Sequence, residues 1–163
     1  MTARSLSTEQ VLALLTAAPA RIAALTADLA PNQLRTPPAP DEWSANEVLA
    51  HLRACADVWG GCVMRMLAED TPTLRAINPR AWIERTDYPT LDFQTSLRAF
   101  TDQRAELLST LEPLPPEAWS RGATVTGAGK PLRRTVFSYA EWLATHERPH
   151  LKQIERIART VRA

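Results

Sequence analysis

The chain has 163 residues and 45% apolar content, enough for one ordinary domain around a single buried core. Its 19 basic and 18 acidic residues are mixed along the chain and leave a formal net charge of +1, so no block offers the electrostatic footprint that nucleic acid requires. No apolar run approaches the roughly 18 residues of a membrane span, and Met1 to Gln10 lacks the charged-then-apolar order of a secretion signal. A cytoplasmic protein with no nucleic-acid or membrane partner is the expectation.

The first helix is predicted over Thr8 to Leu29, because Val11, Leu14, Leu15, Ala18, Ile22, Leu25 and Leu29 recur at three- and four-residue intervals. Pro19 stands in its middle and predicts a kink or a broken turn. The proline-rich stretch from Pro31 to Pro40 ends it and acts as a connector. The second helix has the clearest start: Ser44-Ala45-Asn46-Glu47 is a capping box, and the helix should continue to about Ala68. Its inner stripe includes Val48, His51, Cys55, Val58 or Trp59, and Cys62. Cys55 and Cys62 lie about 10 Å apart along such a helix and cannot bridge, so small buried residues in a reduced compartment are the reading of both.

Thr71 to Pro89 carries Pro72, Pro79 and Pro89 and reads as a long crossover with a short turn near Ala81 to Ile83. The third helix is predicted over Leu91 to Leu111, with Phe93, Leu97, Phe100, Leu107, Leu108 and Leu111 on one side. Arg104 falls on that side and is expected to snorkel outward; aimed at a pocket it would suit an anionic ligand. A second long connector, Pro113 to Arg134, contains Gly122, Gly127 and Gly129, and Ala123 to Thr126 within it could be extended. The fourth helix is predicted over Thr135 to Ile157, where basic Lys152 and Arg156 read as a solvated helix end. Four helices with long connections between the second and third and between the third and fourth argue for an all-α four-helix bundle.

The chain's three histidines fall as His51 alone and His146 with His150 four residues later. Imidazoles at i and i+4 project from one helix face about one turn apart, and a third from another helix can complete a three-nitrogen metal site with open positions. Each alone could be a core or surface residue; three buried neutral imidazoles without a ligand would leave nitrogen atoms seeking partners. His146-Glu147-Arg148-Pro149-His150 also matches the H-E-x-x-H helix of zinc proteases. Pro149 within it speaks against that match, as does the following Leu151-Lys152-Gln153 in place of the extended motif.

The run Glu42-Trp43-Ser44-Ala45-Asn46-Glu47-Val48-Leu49-Ala50-His51-Leu52, together with His146 to His150 and the following Leu151-Lys152-Gln153-Ile154, resembles the DinB-like (DinB/YfiT) superfamily of metal-dependent enzymes. The resemblance spans essentially the whole chain and implies a single DinB-like four-helix bundle domain over residues 1–163. It implies a divalent metal on His51, His146 and His150, with Zn²⁺ and Ni²⁺ both suited to imidazole ligands, and a homodimer. Relatives in that family include thiol transferases using bacillithiol, a mycothiol-dependent isomerase and hydrolases, so membership leaves the reaction open.

The first expectation is a metal-dependent transferase acting with a low-molecular-weight thiol on a small electrophile. Trp142, Tyr139 and Trp59 would line its pocket, or be plain core; Cys55 could approach the metal, although a small-hydrophobe role is favoured for it. The alternatives are a metal-dependent hydrolase with Glu147 or Glu47 as base, and a non-catalytic metal-binding stress-response module. Glu47 is occupied by the capping box. Glu147 points about 100° away from His146 around the helix and is expected on a solvated face, while Gln153 could orient His150 through a hydrogen bond.

Overall fold

The computed structural model describes residues 4–163, so residues 1–3 of the segment inspected for a secretion signal lie outside the described residues. In chain order the helices are α1 (Thr8–Thr26), α2 (Pro31–Leu34), α3 (Ala45–Ala68), α4 (Pro79–Ile83), α5 (Phe93–Leu111), α6 (Pro116–Trp119) and α7 (Val136–Arg162). The long ones, α1, α3, α5 and α7, correspond to the four predicted helices. The Ser44 hydroxyl accepts from the Glu47 amide at 3.2 Å and the Glu47 carboxylate accepts from the Ser44 amide at 3.2 Å, so the capping box fixes the start of α3. α7 extends past the predicted Ile157 because Arg162 reaches across to the Asp28 carboxylate and the Leu25 carbonyl.

Side-chain partners give the helix directions. Ser5 meets Glu141, Arg21 meets Glu155 and Asp28 meets Arg162, so α1 and α7 run parallel. Arg53 meets Ser96 and Asp57 meets Gln103, so α3 and α5 run parallel as well. His51 lies against His150 and Trp59 against Trp142, which makes α3 antiparallel to α7. Around the bundle the neighbours are α1, α5, α3 and α7, with consecutive long helices α1 and α3 on a diagonal.

The structure departs from a purely helical reading. Strands β1 (Thr73–Arg75), β2 (Gly122–Thr126) and β3 (Leu132–Thr135) form a small sheet in which β1 pairs parallel to β2 and β2 antiparallel to β3. Leu74 and Val125 face each other across it and are buried, so the sheet joins the two long connectors and closes one end of the core. Extended structure at Ala123 to Thr126 is as anticipated; β1 is too short to show an alternating pattern. The turn between β2 and β3 needs left-handed backbone at Gly127, with φ of 89°.

Pro19 and Pro149 both lie within unbroken helices, against the kink expected at the first. Proline cannot donate to the carbonyl four residues back. For Pro149 that carbonyl belongs to exposed Thr145, where water can serve it. For Pro19 it belongs to buried Leu15, and the Arg104 guanidinium donates to it at 2.9 Å from across the bundle. Arg104 therefore does not snorkel outward. It is 2% exposed, and its two terminal nitrogens donate to both oxygens of Glu147, also 2% exposed. This polar layer lies between two apolar clusters, one around Leu15, Trp59 and Leu143 and the other around Ile22, Leu49 and Ile154.

Candidate metal centre

The three histidines meet at the contact of α3 with α7. His51 stands nearly two turns after the Ser44 cap of α3, and His146 and His150 share a face of α7 that Pro149 leaves in register. Their ring centroids are 5.3 Å apart for His51 and His146, 4.9 Å for His51 and His150, and 4.7 Å for His146 and His150. The convergence expected from the spacing is thus met by side chains from two antiparallel helices.

Hydrogen bonding sets the state of the rings. His150 Nδ1 donates to the Gln153 amide oxygen at 2.8 Å, which orients the ring. His146 Nδ1 is buried and has no hydrogen-bond partner. Burial, and then the neighbouring imidazoles, push His51 and His146 down to about 4, so both are neutral near pH 7. His51 Nε2 lies 3.6 Å from Sγ of Cys55, and a donor set drawn from His51, Cys55 and His146 falls within 4.8 Å. Burial pushes the Cys55 thiol up to about 12.

Two neutral imidazoles, His51 and His146, whose ligand atoms lie with the Cys55 sulfur within 4.8 Å of one another, with the His150 ring beside them and an orphaned buried nitrogen on His146, fit a divalent transition metal. An unpartnered buried polar atom costs free energy, and coordination through that nitrogen would relieve it.

The surroundings are aromatic on both sides. The Trp43 and His51 ring centroids are 5.2 Å apart, and Trp59 stands perpendicular to His146 with ring centroids 5.0 Å apart. Trp142 stacks on Trp59 at 4.5 Å and Tyr139 on Trp142 at 6.0 Å, so of the three aromatics expected to line the site only Trp59 adjoins a histidine directly. A cavity of about 190 Å³ lies on the His51 side, lined by Trp43, Glu47, Ala50, Arg80, Ile83 and Pro89. Trp43 and Arg80 went unassigned from sequence. The only signal for Trp43 is its place immediately before the α3 cap, and none marks Arg80, which α4 brings in from the crossover.

Glu147 corrects the sequence reading. It is not on a solvated face but buried against Arg104, and burial pushes its carboxyl upward while the guanidinium pulls it back. Ala140, Ala144, Glu147, Leu151, Ile154 and Ala158 form one inward stripe of α7, and Glu147 belongs to it. The glutamate of the H-E-x-x-H match is therefore engaged by Arg104 and not presented beside the histidines as a free carboxylate.

The family model described as DinB superfamily matches residues 14–154. The chain belongs to the DinB superfamily. A comparison with curated proteins returns no match. Among solved structures, this DinB chain is similar to YfiT from Bacillus subtilis, described as a probable metal-dependent hydrolase with an unusual four-helix bundle topology. The two share 21% sequence identity and superpose with a TM-score of 0.79, over 98% of this chain and 91% of that one. At that identity the likeness establishes the DinB bundle as the fold.

Proposed function

We propose that this DinB protein is a metal-dependent enzyme in which His51, His146 and His150 hold a divalent ion, Zn²⁺ or Ni²⁺, and that it transfers a low-molecular-weight thiol to a small electrophile. The observation that carries the reading is the meeting of three imidazoles from two helices, with the buried His146 Nδ1 unpartnered. A bound ion would supply Lewis acidity, lowering the pKa of a thiol or of water at its open positions.

The chain's own residues do the rest. Gln153 holds the His150 ring through its Nδ1. Trp43 and Trp59 wall the histidines against bulk water, which strengthens electrostatic effects inside. Arg80 sets a positive charge at the His51 cavity, where an anionic part of a small substrate would be held. Glu47 and Glu147, the carboxylates beside the histidine motifs, are engaged by the capping box and by Arg104, and this favours a thiol, activated by the ion alone, over water that needs a protein base.

Hydrolysis is the second reading, with water in place of the thiol, and the description of YfiT as a probable metal-dependent hydrolase favours it. Metal analysis of purified wild type, His51→Ala and His150→Ala tests the centre: both variants should lose bound metal, and equal content in all three would sink it. The metal-loaded protein is then screened with small thiols and electrophiles, and separately with small esters and amides. Thiol-dependent turnover supports the transferase; turnover of esters or amides without thiol moves the assignment to a hydrolase. Thiol binding without turnover reduces it to a metal-binding module.

A further inference from the structure

Two donor pairs face one another where α3 packs against α7. His146 and His150 stand at i and i+4 on α7, and His51 and Cys55 stand at i and i+4 on α3. Side chains four apart project from the same helix face, so the packing that brings His51 to the other histidines brings Cys55 with it. Cys55 is fully buried, and its sulfur lies 3.6 Å from His51 Nε2. With His51 and His146 it completes a set of possible ligand atoms within 4.8 Å of one another.

We propose that Cys55 contributes a thiolate to the same ion, giving a centre of three imidazole nitrogens and one sulfur built from two helical i,i+4 pairs. The proposal rests on the reading that the histidines hold a divalent ion. Its geometric support is the set of His51, Cys55 and His146 ligand atoms, within 4.8 Å of one another, beside which the His150 ring lies with its centroid 4.9 Å from that of His51. A tetrahedral zinc site has Zn–S near 2.3 Å and Zn–N near 2.0–2.1 Å, which puts ligand sulfur and ligand nitrogen about 3.5 Å apart. The Cys55 to His51 separation of 3.6 Å is already that distance. When the ion binds, the Cys55 S–H proton passes to solvent and the sulfur lone pair forms the new bond; nothing is oxidised or reduced.

The sulfur has a chemical consequence. A thiolate is a soft ligand and selects Zn²⁺ over the harder ions that a set of nitrogens and waters would also take. It also occupies a fourth position, so a substrate thiol or water must enter as an added ligand or displace the Cys55 sulfur. Cys62, half-buried one helical repeat further along α3, belongs to a different cavity with Tyr139 and Trp142 and serves as the control.

Metal-free protein titrated with Co²⁺ in buffer without added thiol tests the assignment by absorption spectroscopy. Visible d–d bands report that the ion is bound, and an intense near-ultraviolet sulfur-to-cobalt charge-transfer band reports a thiolate ligand. Wild type and Cys62→Ser should show both, and Cys55→Ser should keep the d–d bands and lose the charge-transfer band. Bound cobalt with no charge-transfer band in wild type overturns the Cys55 assignment and leaves the histidine centre standing. So does a band that persists in Cys55→Ser. No d–d bands in wild type overturns the centre itself, and Cys55 with it. Should Cys55→Ser fail to fold, X-ray absorption on zinc-loaded wild type decides: a sulfur scatterer near about 2.3 Å is expected, and a shell of nitrogen and oxygen alone overturns the proposal.

Discussion

Arg104 serves two buried acceptors at once, and the energetics of that arrangement can be separated by substitution. Arg104→Met leaves the Glu147 carboxylate buried without its partner, a loss of about 3–5 kcal/mol. It also strips the Leu15 carbonyl of the donor that replaces the missing Pro19 amide, a further ~1–3 kcal/mol. Together these losses reach the lower part of the stability range of a typical domain, about 5–15 kcal/mol, so the single variant is expected to be severely destabilised.

The informative background is Arg104→Met with Glu147→Met, in which no charge is stranded and only the Leu15 carbonyl lacks a donor. Adding Pro19→Ala there restores an amide at position 19 that can donate to Leu15 along the helix. In the wild-type background the same change only adds a second donor to a carbonyl that Arg104 already serves, so it relieves no unpaired acceptor. Effects of proline on the unfolded chain cancel between the two backgrounds, so the cycle isolates the carbonyl. Urea unfolding followed by far-ultraviolet circular dichroism should show Pro19→Ala stabilising the double variant by ~1–3 kcal/mol more than it stabilises wild type. Equal effects in both backgrounds would refute the claim that Arg104 compensates for Pro19.

Three further outcomes follow from the site and its supports. Gln153→Ala frees the His150 ring and should weaken metal affinity about 10–100-fold, read by competition with a chromophoric chelator; unchanged affinity would mean that the hydrogen bond orients nothing. In metal-free protein, NMR titration should find His51 and His146 neutral down to about pH 4. The unfolded chain, with histidines near 6.5, binds protons that the folded imidazoles refuse, so stability should fall as pH drops from about 6.5 toward 4; midpoints near 6.5 in the folded protein would contradict this. Asp57 accepts from Trp82 Nε1, the Tyr88 hydroxyl and Gln103 Nε2, pinning the segment that carries α4 to α3 and α5. Asp57→Ala should speed amide exchange from 79 to 90 and disturb the Arg80 side of the His51 cavity, and unchanged protection there would place the anchor elsewhere.

Much of the bundle is legible because its signals are local. The Ser44–Glu47 box marks the start of α3 within the residues that form it, and the stripe at Val11, Leu15, Ala18 and Ile22 marks α1 from its own spacing. The histidines are legible for the same reason: i,i+4 spacing on α7 and an apolar face on α3 are properties of single helices. What sequence reasoning misses is set by contacts between elements. β1 is three residues that become a strand only because β2 lies beside them. Arg104 reads as an outward-reaching cation because its two acceptors lie on α1 and α7, far along the chain. A local clue did exist, since Pro19 in a buried stretch of helix must leave an acceptor that some other residue satisfies. Arg80 left no such trace.

The corrected position of Glu147 bears on function as well as on folding. Adjacent residues of a helix point about 100° apart, so with Glu147 drawn inward to Arg104, His146 is turned toward α3, where His51 and Cys55 stand. The buried ion pair therefore sets the rotation of α7 that faces its histidines to the partner helix. An ion pair replaced by apolar side chains of similar volume can keep stability, yet it would give up a hydrogen-bonded constraint on that rotation. Arg104→Met with Glu147→Met and Pro19→Ala should accordingly fold while binding metal more weakly than wild type. Isothermal titration with Zn²⁺ checks this, and wild-type affinity in that triple variant would show that packing alone orients the centre.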